Sequence, residues 1–302
     1  MDSLDCVVVG GGPAGLTAAI YLARFRRDFR LIDGGDSRAQ WIPLSRNYPG
    51  FPDGISGEAL LGLMREQARR YRAALQSGRV ERLETGHDSF RLTLENGEIL
   101  QARAVILATG VSENLPDLPH LGEAVKAGIV RICPICDGYE TIGRAVGVLG
   151  GGDHAAAEAL FVRGFSDRVS LVLIGDGAPL SPQRRRALAE ADIDVVVARI
   201  DQVRIEADGE VRVLHLQGED ARRFDTVYSA FGVTARSDLA VQAGARLDQD
   251  GRLVTDEHQE TSVKGLFAAG DLVRGLNQIG VAVGEAALAA TAVHNRAPRR
   301  PA

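Results

Sequence analysis

One pattern occurs twice in this chain. Residues 5–24 run from an apolar stretch through Gly10-Gly11-Gly12 into Leu16-Thr17-Ala18-Ala19-Ile20-Tyr21-Leu22-Ala23. Residues 145–163 run from a second apolar stretch through Gly150-Gly151-Gly152 into Ala155-Ala156-Ala157-Glu158-Ala159-Leu160-Phe161-Val162. A β-rich run follows each, at residues 29–32 and 169–174. Strand, glycine turn, Ala-rich helix and strand make a βαβ unit. A chain with two such units is predicted to be α/β, with two Rossmann-like dinucleotide-binding domains. Its 302 residues suit two domains at roughly 150 each.

The remaining chain arranges itself around those units. Asn96-Gly97 is flanked by residues 90–94 and 98–102 and predicts a type I′ hairpin. Ala104-Val105-Ile106-Leu107-Ala108-Thr109-Gly110 reads as a buried strand running into glycine, and residues 265–269 repeat that form before Gly270-Asp271. The apolar run at 279–293 is interrupted by Gly280, Gly284 and Glu285 and reads as a buried helix. This order predicts one domain inserted in another. Residues 1–112 and 244–302 form the outer, discontinuous domain, and 113–243 the inner one. Hinges are expected where the chain crosses, at 111–116 and near 235–244.

Charge and cysteine usage exclude some functions. A net charge of -5 leaves no basic footprint for nucleic acid. No uninterrupted apolar run approaches the roughly 18 residues of a membrane span. Residues 1–5 are acidic, and the apolar run at 6–9 is too short for the core of a secretory signal. With three cysteines, a reduced cytoplasmic setting is expected.

Three motifs carry chemistry. In Gly10-Gly11-Gly12-Pro13-Ala14-Gly15, Gly10 permits the tight turn, Gly12 lets backbone approach a pyrophosphate, and Gly15 allows close helix–strand packing. Asp33, at the end of the following strand, suits the hydroxyls of an adenosine ribose. Gly150-x-Gly152-x-x-Ala155 repeats the motif with the permitted alanine and points to a nicotinamide nucleotide, although a duplicated domain can keep its fold and lose its ligand. The third is Arg131-Ile132-Cys133-Pro134-Ile135-Cys136-Asp137-Gly138. Its spacing brings two sulfurs within reach of an easily reduced disulfide, and a helix start would favour the thiolate. Two other readings compete. A structural zinc needs about four ligands, and the third cysteine, Cys6, lies in a buried strand; two inert core cysteines would not call for the flanking Pro and acid. The six histidines show no metal-ligand spacing.

Taken in order, these residues resemble the low-molecular-weight thioredoxin reductases. The resemblance covers nearly the full chain. It rests on Gly10 to Gly15, Asn47-Tyr48-Pro49-Gly50-Phe51-Pro52, Ala108-Thr109-Gly110, Cys133 to Gly138, and Gly265-Leu266-Phe267-Ala268-Ala269-Gly270-Asp271. It implies FAD in the outer domain and NADH or NADPH in the inner one. Asn47 and Gly110 would line the FAD site, Asp271 would bond its ribityl or phosphate region, and Gln278 and Ile279 would lie beside the ring. Cys136 would face the flavin, Cys133 would attack a partner's disulfide, and Asp137 would protonate the leaving thiolate. The resemblance further implies a homodimer whose inner domain rotates between two states, and a thioredoxin-like protein or small-molecule disulfide as substrate.

Two departures stand out. NADPH-using members place a His-Arg-Arg cluster and a further Arg after the second strand of the inner domain. Here Leu173-Ile174-Gly175-Asp176-Gly177-Ala178-Pro179 contains no base, and Asp176 suits the free ribose of NADH. The family's Arg-Gln-Ala is Asn277-Gln278-Ile279. Loss of the arginines also admits a dithiol oxidase, which passes electrons from a substrate dithiol to oxygen without NAD(P)H. A non-catalytic flavin-based redox sensor is the third reading.

Overall fold

The computed structural model describes residues 3–118, 121–174, 180–199, 203–208, 211–216 and 222–298, with backbone alone at 204–208 and 211–216. The outer unit opens with β1 (Leu4–Val9), α1 (Pro13–Arg24), β2 (Phe29–Asp33), α2 (Gly57–Arg70), β3 (Leu75–Ser77), β4 (Val80–Thr85), β5 (Phe90–Leu94) and β6 (Ile99–Leu107). A connecting strand, β7 (Val111–Glu113), leads to α3 (Leu121–Lys126), β8 (Val130–Arg131) and α4 (Pro134–Asp137). The inner unit continues with β9 (Ala145–Gly150), α5 (Gly152–Val162), β10 (Arg168–Ile174), α6 (Pro182–Glu190) and β11 (Asp194–Ala198). Strands β12 (Val203–Asp208), β13 (Val211–Leu216), β14 (Arg222–Phe224) and β15 (Thr226–Ala230) complete it. The chain returns through β16 (Val233–Ala235), α7 (Asp238–Gln242), β17 (Leu266–Ala268) and α8 (Ile279–Arg296).

Both expected βαβ units are present. β1 pairs in parallel with β2, and β9 with β10. The outer sheet runs β3-β2-β1-β6-β5-β4. β6 is long enough to use one edge twice: residues 99–102 pair antiparallel with β5, and residues 105–107 pair parallel with β17. The last β-strand of the outer unit thus joins beside the first βαβ unit. The inner sheet, β11-β10-β9-β15-β8, is parallel throughout. Strands buried on both faces read as continuous apolar runs for this reason.

The hairpin at Asn96-Gly97 forms, but not as a type I′ turn. Gly97 alone has positive φ, at 83°, and its N–H donates to Leu94 O at 2.9 Å. Asn96 instead accepts from the Glu98 N–H through its side chain at 2.9 Å. This is the three-residue loop with a left-handed glycine.

The two crossings between units lie side by side, since β7 and β16 pair antiparallel over Val111–Ala235, Ser112–Thr234 and Glu113–Val233. Leu239, Ala240 and Ala243, around α7, already pack in the core beneath the outer sheet with Leu83 and Leu107. α8 lays Ala282, Ala286, Ala289, Ala290 and Val293 against α1 and the outer sheet, and leaves Leu288 half-exposed. No helix among the described residues is long and apolar enough to cross a membrane.

Candidate active site

A cavity of about 560 Å³ opens where β1, β2 and β6 end and α1 begins. Glycine is required at its floor. Gly10 has φ +116°, and a Cβ there would lie 2.2 Å from Ala108 O. A Cβ on Gly11 would lie 2.0 Å from the Asp33 carboxyl carbon, and one on Gly15 would lie 1.8 Å from Gly10 O. The backbone of β1 and α1 therefore touches directly. No side chain caps Gly12, so the first amides of α1 are left for a ligand at the cavity wall.

Most of the residues expected to hold FAD meet around this cavity. Gly10, Gly12, Pro13, Ala14, Asp33, Asn47, Gly110, Gly270, Asp271, Gln278 and Ile279 all line it, and Gly15 is buried behind them. Asp33 sits at one side, accepting from Gly35 N at 2.9 Å. Cys136 also lines the cavity, while Cys133 does not. Uncapped amides, a carboxylate at a strand end and a sulfur around one space fit FAD, whose pyrophosphate the α1 amides would hold.

Cys133 and Cys136 are joined as a disulfide at the start of α4, with Cα atoms 5.3 Å apart. Gln278, at the N-terminus of α8, directs Nε2 to both sulfurs, at 3.6 Å from Cys133 and 3.5 Å from Cys136. Asn47 fixes that amide by donating to Gln278 Oε1 at 2.9 Å, and donates also to Ile135 O at 3.4 Å. Ser45, buried, donates to Asn47 Oδ1 at 3.1 Å. Three polar side chains from two outer segments thus hold the loop that bears the disulfide. Cys6 is fully buried in β1, and burial pushes its thiol far above the usual range. It is core.

Asp137 follows Cys136 directly. Its Oδ1 accepts from Tyr228 Oη at 2.7 Å, and Arg131 Nη1 lies 3.4 Å from Oδ2. Burial raises its carboxyl above the ordinary range, opposed by Tyr228 and Arg131. Three further carboxyls are raised by burial. Asp271 lies 3.3 Å from Arg38 Nη1, Glu285 accepts from Gly270 N at 2.7 Å, and Glu113 pairs with Arg38.

The second glycine motif occupies the turn from β9 into α5. Gly152 has φ +58°, and a Cβ on Gly150 would lie 2.3 Å from Ala230 O and 2.7 Å from the Ala155 Cβ. The start of α5, like that of α1, has no side-chain cap. His154 pairs with Glu158 one turn along at 3.1 Å. Asp176 lies outside the described residues. Arg185 and Arg186 are exposed on α6.

No sequence motif marks Arg38, Ser45, Glu113, Tyr228 or Glu285 as a site residue. Most are paired with residues distant in sequence, as Arg38 is with Asp271. Tyr228 carries one local signal: a phenol in a strand of otherwise small residues needs a partner for its hydroxyl.

Two dinucleotide-binding folds and a disulfide with one sulfur on the cavity wall of the first define a flavin-dependent disulfide oxidoreductase. A family model described as pyridine nucleotide-disulphide oxidoreductase matches residues 4–286. The thioredoxin reductase of Mycolicibacterium smegmatis is 36% identical over 279 residues, covering 89% of this chain and 88% of that protein. Among solved structures, HlmI shares 32% identity with a TM-score of 0.87, over 97% of this chain and 92% of that one. Thioredoxin reductase from Streptococcus pyogenes MGAS5005 gives 0.85 at 28% identity, over 97% of each chain. The chain belongs to the pyridine nucleotide-disulphide oxidoreductase family, as a thioredoxin reductase-like enzyme. Its cofactors are FAD and NADH or NADPH.

Arg38 gives a test of the electrostatics. Arg38→Met leaves Glu113 and Asp271 without their guanidinium. Both carboxyls are already raised, so the fold prefers them protonated, and the variant's deficit should shrink as pH falls. A loss of about 1.5–3 kcal/mol is expected where both carboxyls are ionised, and it should shrink as pH falls through their raised range. Thermal unfolding across that range reads it. A deficit independent of pH would contradict this assignment.

Proposed function

We propose that the enzyme passes electrons from a reduced nicotinamide through FAD to the Cys133–Cys136 disulfide, and thence to a disulfide of a thioredoxin-like protein or small molecule. One observation carries the reading: Cys136 lines the same cavity as the α1 glycines and Asp33. FAD, when bound, accepts two electrons from the nicotinamide and delivers them to a disulfide. The chain's own residues do the rest. The amides of α1 would hold the pyrophosphate, and Asp33 the ribose. Asp271, with Gly270, would hold the ribityl or phosphate region, Asn47 and Gly110 would line the site, and Gln278 and Ile279 would lie beside the ring. Gln278 presents N–H to whichever sulfur becomes thiolate, which favours that charge. Cys133, outside the cavity, attacks the substrate, and Asp137 moves the proton.

The domain boundaries, the assembly and the location belong to the same proposal. The outer domain comprises 1–112 and the returning chain, and packing of 239–243 beneath the outer sheet supports a return before the expected Gly244. The paired strands β7 and β16 act as the hinge about which the inner domain rotates to bring the Gly150–Ala155 turn to the flavin. Asn47 to Ile135 is a contact that such a rotation breaks. The enzyme works as a homodimer in the cytoplasm.

Two outcomes follow. Cys133→Ser leaves Cys136 as a free thiolate beside the oxidised flavin and should show long-wavelength absorbance, whereas Cys136→Ser should not. Both should lose disulfide turnover by at least about a hundredfold. Equal spectra would reverse or remove the roles assigned here.

The donor is the second. A 2′-phosphate needs charge-assisted partners such as Arg, and losing one costs about 1.5–3 kcal/mol, or roughly ten- to a hundredfold in affinity. The segment 174–179 offers no base. NADPH should therefore not be preferred over NADH in anaerobic flavin reduction. A strong NADPH preference would contradict this, and reduction by neither would favour the dithiol oxidase.

A further inference from the structure

Tyr228 is the largest fully buried side chain among the described residues of the inner unit, at 0% exposure, with its ring in a core that includes Val146, Val148 and Ala159. Phenylalanine would fill that space. The hydroxyl adds a buried donor, and its partner is Asp137, with Tyr228 Oη 2.7 Å from Oδ1. The parallel register of β15 and β8 sets Tyr228 opposite Arg131. Arg131 Nη1 reaches Asp137 Oδ2 at 3.4 Å and donates to the Asp137 carbonyl at 3.1 Å. Two adjacent strands of one sheet therefore grip both carboxyl oxygens of the residue that follows Cys136.

Other charges face the same carboxyl. Glu140, from the 3-10 turn at Gly138–Thr141, opposes its ionisation, and Arg46, from the loop before α2, favours it. Arg46 lies 3.8 Å from Glu140. Burial, and next the Asp137 charge, push the Tyr228 hydroxyl well above the usual range, so it remains a donor at any working pH.

We propose that Tyr228 and Arg131 are positioning residues that hold the Asp137 carboxyl from two sides for proton transfer during disulfide exchange. The proposal rests on the acid–base role given to Asp137 above. In the exchange, the Cys133 thiolate attacks one sulfur of the substrate disulfide. An S–S bond forms and another breaks, and the departing thiolate takes the Asp137 proton. Cys136 thiolate then attacks Cys133 Sγ, restores the Cys133–Cys136 bond and releases the second substrate sulfur. The two electrons come from the reduced flavin that opened the pair beforehand. Tyr228 and Arg131 only donate, so they favour the carboxylate left behind after the transfer.

The test is the pH profile of single-turnover oxidation of the reduced holoenzyme by 2-hydroxyethyl disulfide, whose leaving thiolate is basic. The rate should fall as pH rises through the titration of Asp137, whose carboxyl burial holds above the ordinary range. Tyr228→Phe and, separately, Arg131→Gln should each move that limb upward by about one to two pH units, the equivalent of one hydrogen bond to a charged group. Glu140→Gln should move it downward, and Arg131→Lys should restore part of the Arg131→Gln shift. With 5,5′-dithiobis(2-nitrobenzoate), whose leaving thiolate needs no proton, that limb should be absent in the wild type and in every variant. A general loss of structure cannot shift the limb in opposite directions. If Asp137→Asn keeps the wild-type limb, the acid–base role itself is wrong. If Asp137→Asn abolishes the limb but Tyr228→Phe and Arg131→Gln leave it in place, the positioning role is overturned.

Discussion

The site depends on backbone packed directly on backbone. At Gly15 a Cβ would lie 1.8 Å from the Gly10 carbonyl oxygen, so α1 can approach β1 only through glycine. That approach brings the helix's uncapped amides to the end of the strand, where a phosphate can meet them. The inner unit repeats the device with an alanine in place of the third glycine. Ala155 stands where Gly15 does, and its Cβ would be 2.7 Å from a Cβ on Gly150. Each unit places an uncapped helix start at the end of its central strands, and the rest of the fold decides what else reaches that point.

For the outer unit, the rest is the disulfide. Cys136 comes to the cavity from a segment that belongs to the inner unit, and the polar chain Ser45–Asn47–Gln278 meets it there. The neighbouring carboxyls are largely buried and each has a donor: Arg38 for Glu113 and Asp271, the Gly270 amide for Glu285, Tyr228 and Arg131 for Asp137. A buried carboxylate is costly without such partners. Their concentration around one cavity and one cysteine pair is characteristic of a site that handles charge and protons.

Periodicity and glycine placement made the two βαβ units, the parallel strands and the floor of the cavity legible in the sequence. Each of these is encoded within about thirty residues, and a glycine that must avoid a carbonyl leaves a local mark. The hairpin was placed correctly at Asn96-Gly97 but its turn was not, because the Asn96 side chain bonds Glu98 N instead of taking a left-handed backbone. α7 illustrates a different limit. Its few apolar positions do not say which of two cores they join, and packing against the outer sheet decides it. The charged partners were the least legible. Arg38 and Asp271 are 233 residues apart, and Tyr228 meets Asp137 only because β15 and β8 are neighbours in the sheet.

The central claim is that one cavity couples the flavin to the Cys133–Cys136 pair. Anaerobic reductive titration of the FAD-bound protein with dithionite tests it without assuming a donor or substrate. The disulfide and the flavin are each two-electron centres, so wild-type protein should take up about four electron equivalents per FAD, and Cys136→Ser about two. Wild-type protein that is fully reduced by about two equivalents, with both thiols already free or the disulfide untouched, would contradict the account.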